Sequence, residues 1–176
     1  MSARSRARRR ALELLFEAGE RKLDENELIQ LRSGDPEYPM KEYAVEIVRG
    51  VVEHRDDIDA TLREYSEWNV DQLPKVDVAL LRMGLWEVLY NDELDDPIAI
   101  DETVSLAAAY STDDSPAFIN ALLDRVSKQG KKDRGTSDQA ASQPQPDSAQ
   151  SDEAQTNRTD PGSAMLMEIT PLMTVQ

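Results

Sequence analysis

The stretch that most limits how this chain can fold is Val76 to Tyr90, V-D-V-A-L-L-R-M-G-L-W-E-V-L-Y. Its only charged residues are Asp77, Arg82 and Glu87. At about 100° per helical residue their five-residue spacing scatters them around the axis, so no solvent face forms. A helix that is apolar nearly all round belongs in the middle of a bundle, and this one is expected to be central. Each of its three charges must then reach water at an end, find an internal partner, or meet another molecule.

The 176 residues suffice for one domain of ordinary size with some chain to spare. Only 5% aromatic residues and 7 glycines, beside many Ala, Leu and Glu, favour helices over a strand-and-turn fold. The absence of cysteine excludes disulfides, thiolate zinc sites and a cysteine nucleophile, and fits a reducing cytoplasm. Glu13 and Glu17 break the apolar run after the first arginines, so no signal-peptide core is expected. No run approaches the roughly 18 apolar residues of a membrane span.

Helical periodicity runs through most of the chain. Ala7, Ala11, Leu14, Leu15 and Ala18 form the first stripe, with Ser2 or Ser5 as caps and Gly19 as its end. A short helix follows at about Glu25 to Leu31. Met40 to Tyr65 reads as two helices or one kinked one, with a polar break at Glu53 to Asp57. A helix over Ile98 to Tyr110 is expected to turn Ile100, Val104, Ala107 and Ala108 inward. Ser115 and Pro116 read as N-cap and first-turn residue of the last helix, whose stripe is Phe118, Ile119, Leu122, Leu123 and Val126. Composition divides the chain into a helical domain, 1–129, and an acidic, polar tail, 130–176. Residues 130–164 hold too few large apolar side chains to offset ordering, and disorder is expected there. The apolar last dozen residues read either as a vestigial end or as a docking motif.

The chemistry of an enzyme is missing. There is no Walker A sequence, GxGxxG, HExxH or GxSxG, and neither cofactor nor metal is expected. His54, the single histidine, sits among charges and reads as a solvated surface residue. The positive signal lies at the N-terminus. Residues 1–10 carry five arginines (Arg4, Arg6, Arg8, Arg9 and Arg10) and no acid, in a chain of net charge −15. Cations at a helix start are unfavourable by roughly 0.3 to 1 kcal/mol, so helix electrostatics do not ask for them. A local basic footprint can bind a polyanion while an acidic body restricts where it docks. If the first helix packs beside the last, those guanidinium groups come near Phe16 and the Asp114 to Phe118 segment, a surface suited to single-stranded RNA. Core packing is the competing reading for both rings.

Three blocks carry a family resemblance: A-R-R-R-A-L-E-L-L-F-E (Ala7 to Glu17), V-D-V-A-L-L-R-M-G-L-W-E-V (Val76 to Val88) and I-A-I-D-E-T-V-S-L-A-A-A-Y-S-T-D-D-S-P-A-F-I-N-A-L-L-D (Ile98 to Asp124). In that order they resemble the transcription antitermination factor NusB family. The resemblance implies an all-α bundle of about seven helices in two packed three-helix units. It also implies a bacterial protein that binds the boxA element of nascent ribosomal RNA with the ribosomal protein NusE, in an antitermination complex on RNA polymerase.

By position, Arg8, Arg9 and Arg10 match the family's arginine-rich RNA motif, and Asp114, Ser115, Phe118 and Asn120 match its D-S-x-x-F-x-N segment. Asp77 and Arg82 match the acid and arginine near which NusE docks, with Phe16 assigned to the same partner surface. The three arginines are expected to be replaceable without loss of fold stability. Two departures stand out: Pro116 and Ala117 occupy positions often basic or polar in the family, and Ala121 replaces the usual glycine. Some family members pair with themselves through the same surface, so a homodimer is a further possibility. The alternatives are an RNA-binding module of the kind found at the N-terminus of ribosomal RNA methyltransferases, and a structural homodimer without specific RNA binding.

Overall fold

In a computed structural model, which describes residues 1–140 and side chains through Gln129, the chain forms seven α-helices and one 3-10 turn. They are α1 (Ala3–Arg21), α2 (Glu25–Ser33), α3 (Glu42–Glu53), α4 (Arg55–Tyr65), α5 (Lys75–Tyr90), α6 (Asp96–Tyr110) and α7 (Ser115–Ala140). The 3-10 turn, Val70–Gln72, lies between α4 and α5. There is no strand among the described residues, and no described helix is long and apolar enough to cross a membrane.

The central position expected for α5 is what the packing shows. It meets α1, α3, α4, α6 and α7, and buries Leu80, Leu81, Met83 and Leu85 completely. Each such side chain contributes about 1.5–3 kcal/mol on burial. α1, α2 and α3 pack together as one three-helix unit, and α5, α6 and α7 as the other; α4 bridges α3, α5 and α7. Close approach of α3 to α5 depends on Gly50, where a Cβ would overlap the Trp86 indole.

Local chemistry sets the helix ends. Ser2 caps α1, its hydroxyl accepting the Ser5 amide at 2.9 Å. The helix runs past Gly19 to Arg21 and stops where Lys22 turns left-handed, with φ 54°. The break expected within 53–57 is a one-residue junction at His54. That histidine is half-buried rather than solvated, its ring stacked 3.8 Å from that of Tyr90.

Two further expectations change. Ala108 is exposed, and Thr103 takes the inward position on α6, donating its hydroxyl to the Ala99 carbonyl at 2.8 Å. Ser115 is the first residue of α7 rather than its cap, because its hydroxyl is spent on a tertiary partner. The backbone of α7 is described as far as Ala140, past the composition change at 129. The rest of the expected disordered tail, with the apolar last dozen residues, lies outside the described residues.

Candidate nucleic-acid interface

α1 sorts its arginines by phase. The stripe that buries Ala11, Leu12 and Leu15 also carries Arg8 inward, where its side chain is 2% exposed. Its Nε donates to both carboxylate oxygens of Glu87 at 2.9 and 3.0 Å, and its Nη1 lies 3.5 Å from Glu102. The Tyr43 hydroxyl donates to the same Glu87 carboxylate. Burial works against the charged form of Arg8, but the hydrogen bonds and charge of Glu87 outweigh it and raise its pKa above the ordinary value. Burial likewise raises Glu87 and Tyr43, so the phenol stays a donor. Arg8 therefore has no face toward solvent.

Arg9 and Arg10 point the other way. They are 33% and 25% exposed and share one carboxylate, Glu13, at 3.8 and 2.7 Å. At 3.8 Å Glu13 is too far to accept a hydrogen bond, and the buried Nε of Arg9 has no hydrogen-bond partner among the described residues. Beside Arg9 opens a groove of about 510 Å³ lined by the apolar side chains of Leu12, Phe16, Val76 and Tyr110, by Glu13, and by Lys75 and Glu20, which pair with each other at 2.6 Å. Phe16 is 40% exposed and also borders a second hollow of about 270 Å³ that contains Arg82. Cations, exposed rings and an apolar floor thus lie side by side, the combination a single strand needs for phosphates and stacked bases.

The start of α7 is held differently. Asp77, 2% exposed, accepts from Ser111 Oγ at 2.5 Å and Ser115 Oγ at 2.7 Å. Ser115 also shares a 2.7 Å hydrogen bond with Thr112. Asp77 therefore ties the α6–α7 loop to the central helix and offers no surface of its own. Asp114 and Asn120 are exposed, while Phe118 is half-buried against the core. α1 packs on α5 and α5 on α7, so the link between the arginines and this loop runs through α5 and Tyr110, not through direct packing of the first helix on the last. Arg82 forms a two-point pair with Asp59, at 2.8 and 2.9 Å, and stays half-exposed.

Residues 5–128 match the NusB family. The chain belongs to that family. Its relatives include the transcription antitermination protein NusB of Beutenbergia cavernae, 46% identical over 137 residues, a match that spans 72% of this chain and 90% of the relative. The NusB of Paenarthrobacter aurescens is 47% identical over 129 residues, spanning 73% and 95%. Among solved structures, NusB of T. maritima is similar at 30% identity with a TM-score of 0.65, over 73% of this chain and 92% of that one. A chain of a complex of the antitermination factors NusB and NusE with double-stranded RNA is similar at 24% identity and TM-score 0.63, over 72% and 98%; that likeness is one of fold.

Within this NusB fold, the sequence-assigned residues divide by access. Arg9, Arg10, Asp114, Asn120, Phe16 and Arg82 reach the surface, Phe118 does so partly, and Arg8, Asp77 and Ser115 do not. Lys75 and Tyr110, which sequence reasoning did not select, line the groove. A tyrosine at the last position of α6 was the available signal for the second.

Proposed function

We propose that this chain acts in transcription antitermination, binding single-stranded boxA RNA of nascent ribosomal transcripts together with the ribosomal protein NusE on RNA polymerase. It does so in the cytoplasm as a binding protein, without catalysis of its own. The observation that carries this reading is the juxtaposition of Arg9 with the groove of Phe16, Val76 and Tyr110, and of Arg10 with a further hollow that Arg9 also lines, on a chain of net charge −15. An acidic body with one cationic, ring-bearing face steers a polyanion to that face. Arg9 and Arg10 meet phosphates, Phe16 and Tyr110 offer surfaces for stacking, and Asp114 and Asn120 offer polar contacts at the start of α7. The hollow shared by Phe16 and Arg82 suits the protein partner. Asp77, Ser115 and Arg8 serve by positioning these elements.

The chain spans 90% and 95% of the lengths of the two NusB relatives above, which favours an antitermination protein over a methyltransferase front end. The test is a titration of boxA and scrambled RNA with and without NusE at several salt concentrations. Neutralising about three to five phosphates gives a slope of log K on log salt of roughly −2 to −4 for a single strand. A flat salt dependence, or equal binding of the scrambled RNA with NusE present, overturns the assignment. Self-association that blocks RNA binding at the groove would favour the homodimer instead.

A further inference from the structure

A hollow of about 150 Å³ lies between α1 and the segment entering α3, lined by Arg6, Ala7, Arg9, Arg10, Pro39 and Lys41. Four of its six lining residues are cations and none is an acid. The nearby Glu13 is one carboxylate for two guanidinium groups. Arg6 donates to the Met1 carbonyl at 2.9 Å, a neutral acceptor that leaves its charge uncompensated. Lys41 is exposed and makes no ion pair among the described residues.

The fold does not explain Lys41. It stands at the N-cap of α3, where Ser, Thr, Asp or Asn would stabilise the helix and a cation is unfavourable. Its backbone carbonyl accepts the Ala44 amide at 2.9 Å, while its side chain takes no part in capping. Pro39 confines the approach of the chain to this point. Arg9 lines both this hollow and the apolar groove, so the two form one continuous surface.

We propose that the hollow holds a backbone phosphate of bound single-stranded RNA, with Lys41 and Arg6 extending the path of the strand from the groove, over Arg9, to the entrance of α3. This rests on the RNA-binding reading above. It adds a second segment of chain, far from the arginine run in sequence, to the RNA-contacting surface. Phosphate contacts set register and affinity without reading sequence, so Lys41 contributes equally to boxA and scrambled RNA.

The experiment uses the full chain with NusE, comparing wild type, Lys41→Gln, Lys41→Arg and Arg6→Gln on both RNAs across a salt series, with thermal melting alongside. Lys41→Gln is expected to weaken both RNAs by the same factor and to flatten the salt slope by about 0.7, the share of one phosphate on a single strand. Arg6→Gln behaves likewise, Lys41→Arg retains the wild-type slope, and melting is unchanged throughout. If wild type binds with a clear salt slope while Lys41→Gln and Arg6→Gln match it in affinity and slope, the hollow is not on the RNA path and this inference falls alone. A loss confined to boxA overturns the phosphate assignment. Wild type that shows no salt-dependent binding overturns the proposed function, and this inference with it.

Discussion

Arg8 and Glu87, the one expected on an RNA-facing surface and the other left without a role by the family motifs, form an ion pair inside the fold, with side chains 2% and 0% exposed. Either charge alone would be costly there. Together with the Tyr43 hydroxyl they satisfy each other and join α1, α3 and α5. Arg8→Ala is therefore expected to lose about 3–5 kcal/mol, because it strands a buried carboxylate. Arg9→Ala and Arg10→Ala should stay within about 0.5 kcal/mol. Urea denaturation of the three variants checks this, and an Arg8→Ala midpoint equal to that of Arg9→Ala would sink it. Replacing both partners by apolar residues, Arg8→Met with Glu87→Leu, should recover most of the loss.

Asp77 makes a parallel case at the other end of the central helix. Its two serine partners sit on either side of the α6–α7 loop. Asp77→Ala removes the acceptor for both hydroxyls and should cost about 1–3 kcal/mol. Local opening should rise with it, seen as faster hydrogen exchange at the amides of Ser111 to Ser115. If stability and exchange are unchanged while NusE binding is lost, Asp77 acts as a direct partner contact and not through the loop.

The three charges of α5 show what the sequence could and could not disclose. A nearly all-apolar helix announces its own burial, and proline and serine punctuation locates the helix starts to within about two residues. The partners do not follow: Arg8, Asp59 and Ser111 lie in other helices or loops, and only the packed fold brings them to Glu87, Arg82 and Asp77. In the arginine run the signal existed but was weak. Arg8 stands seven residues before Leu15, on the buried face, whereas Arg9 and Arg10 fall off it. Ser115 misled for a related reason, since a hydroxyl at a helix start can cap the backbone or reach across the fold, and nothing local decides which. The groove was legible only in part, because its floor combines α1, α5 and the end of α6.

Glu17 gives a pH-dependent prediction. It accepts from Arg21 at 2.6 Å and Arg32 at 2.5 Å, linking α1 to α2. Burial acts to raise its pKa, but these two guanidinium groups outweigh that and hold it below the ordinary value of 4.5. A carboxylate whose folded pKa is depressed stabilises the fold above its unfolded pKa and loses that contribution as pH falls through the folded value. Glu17→Gln should therefore be less stable than wild type at pH 7, by less than about 1 kcal/mol given its partial exposure. The gap should close as the solution is acidified below about pH 4.5. A gap that persists unchanged at pH 3 would show that the side chain acts through packing instead.

Phe16 and Phe118 are the two rings for which stacking and packing compete, and the structure separates them. Phe16 stands on the surface between two hollows, whereas Phe118 is half-buried against the core at the start of α7. Full truncation of a buried phenylalanine costs about 3–5 kcal/mol, so Phe118→Ala should lose part of that, about 1–3 kcal/mol. Phe16→Ala should lose less than about 1 kcal/mol of fold stability. Binding should rank them in the opposite sense if the groove holds a base or a partner side chain: Phe16→Ala is expected to weaken the assembly with RNA and NusE at unchanged melting temperature. Phe118→Leu keeps most of the apolar contact but removes the ring. A loss of RNA affinity in Phe118→Leu at near-wild-type stability assigns stacking to this ring as well, whereas unchanged affinity leaves it a packing residue that holds the first turn of α7 in place.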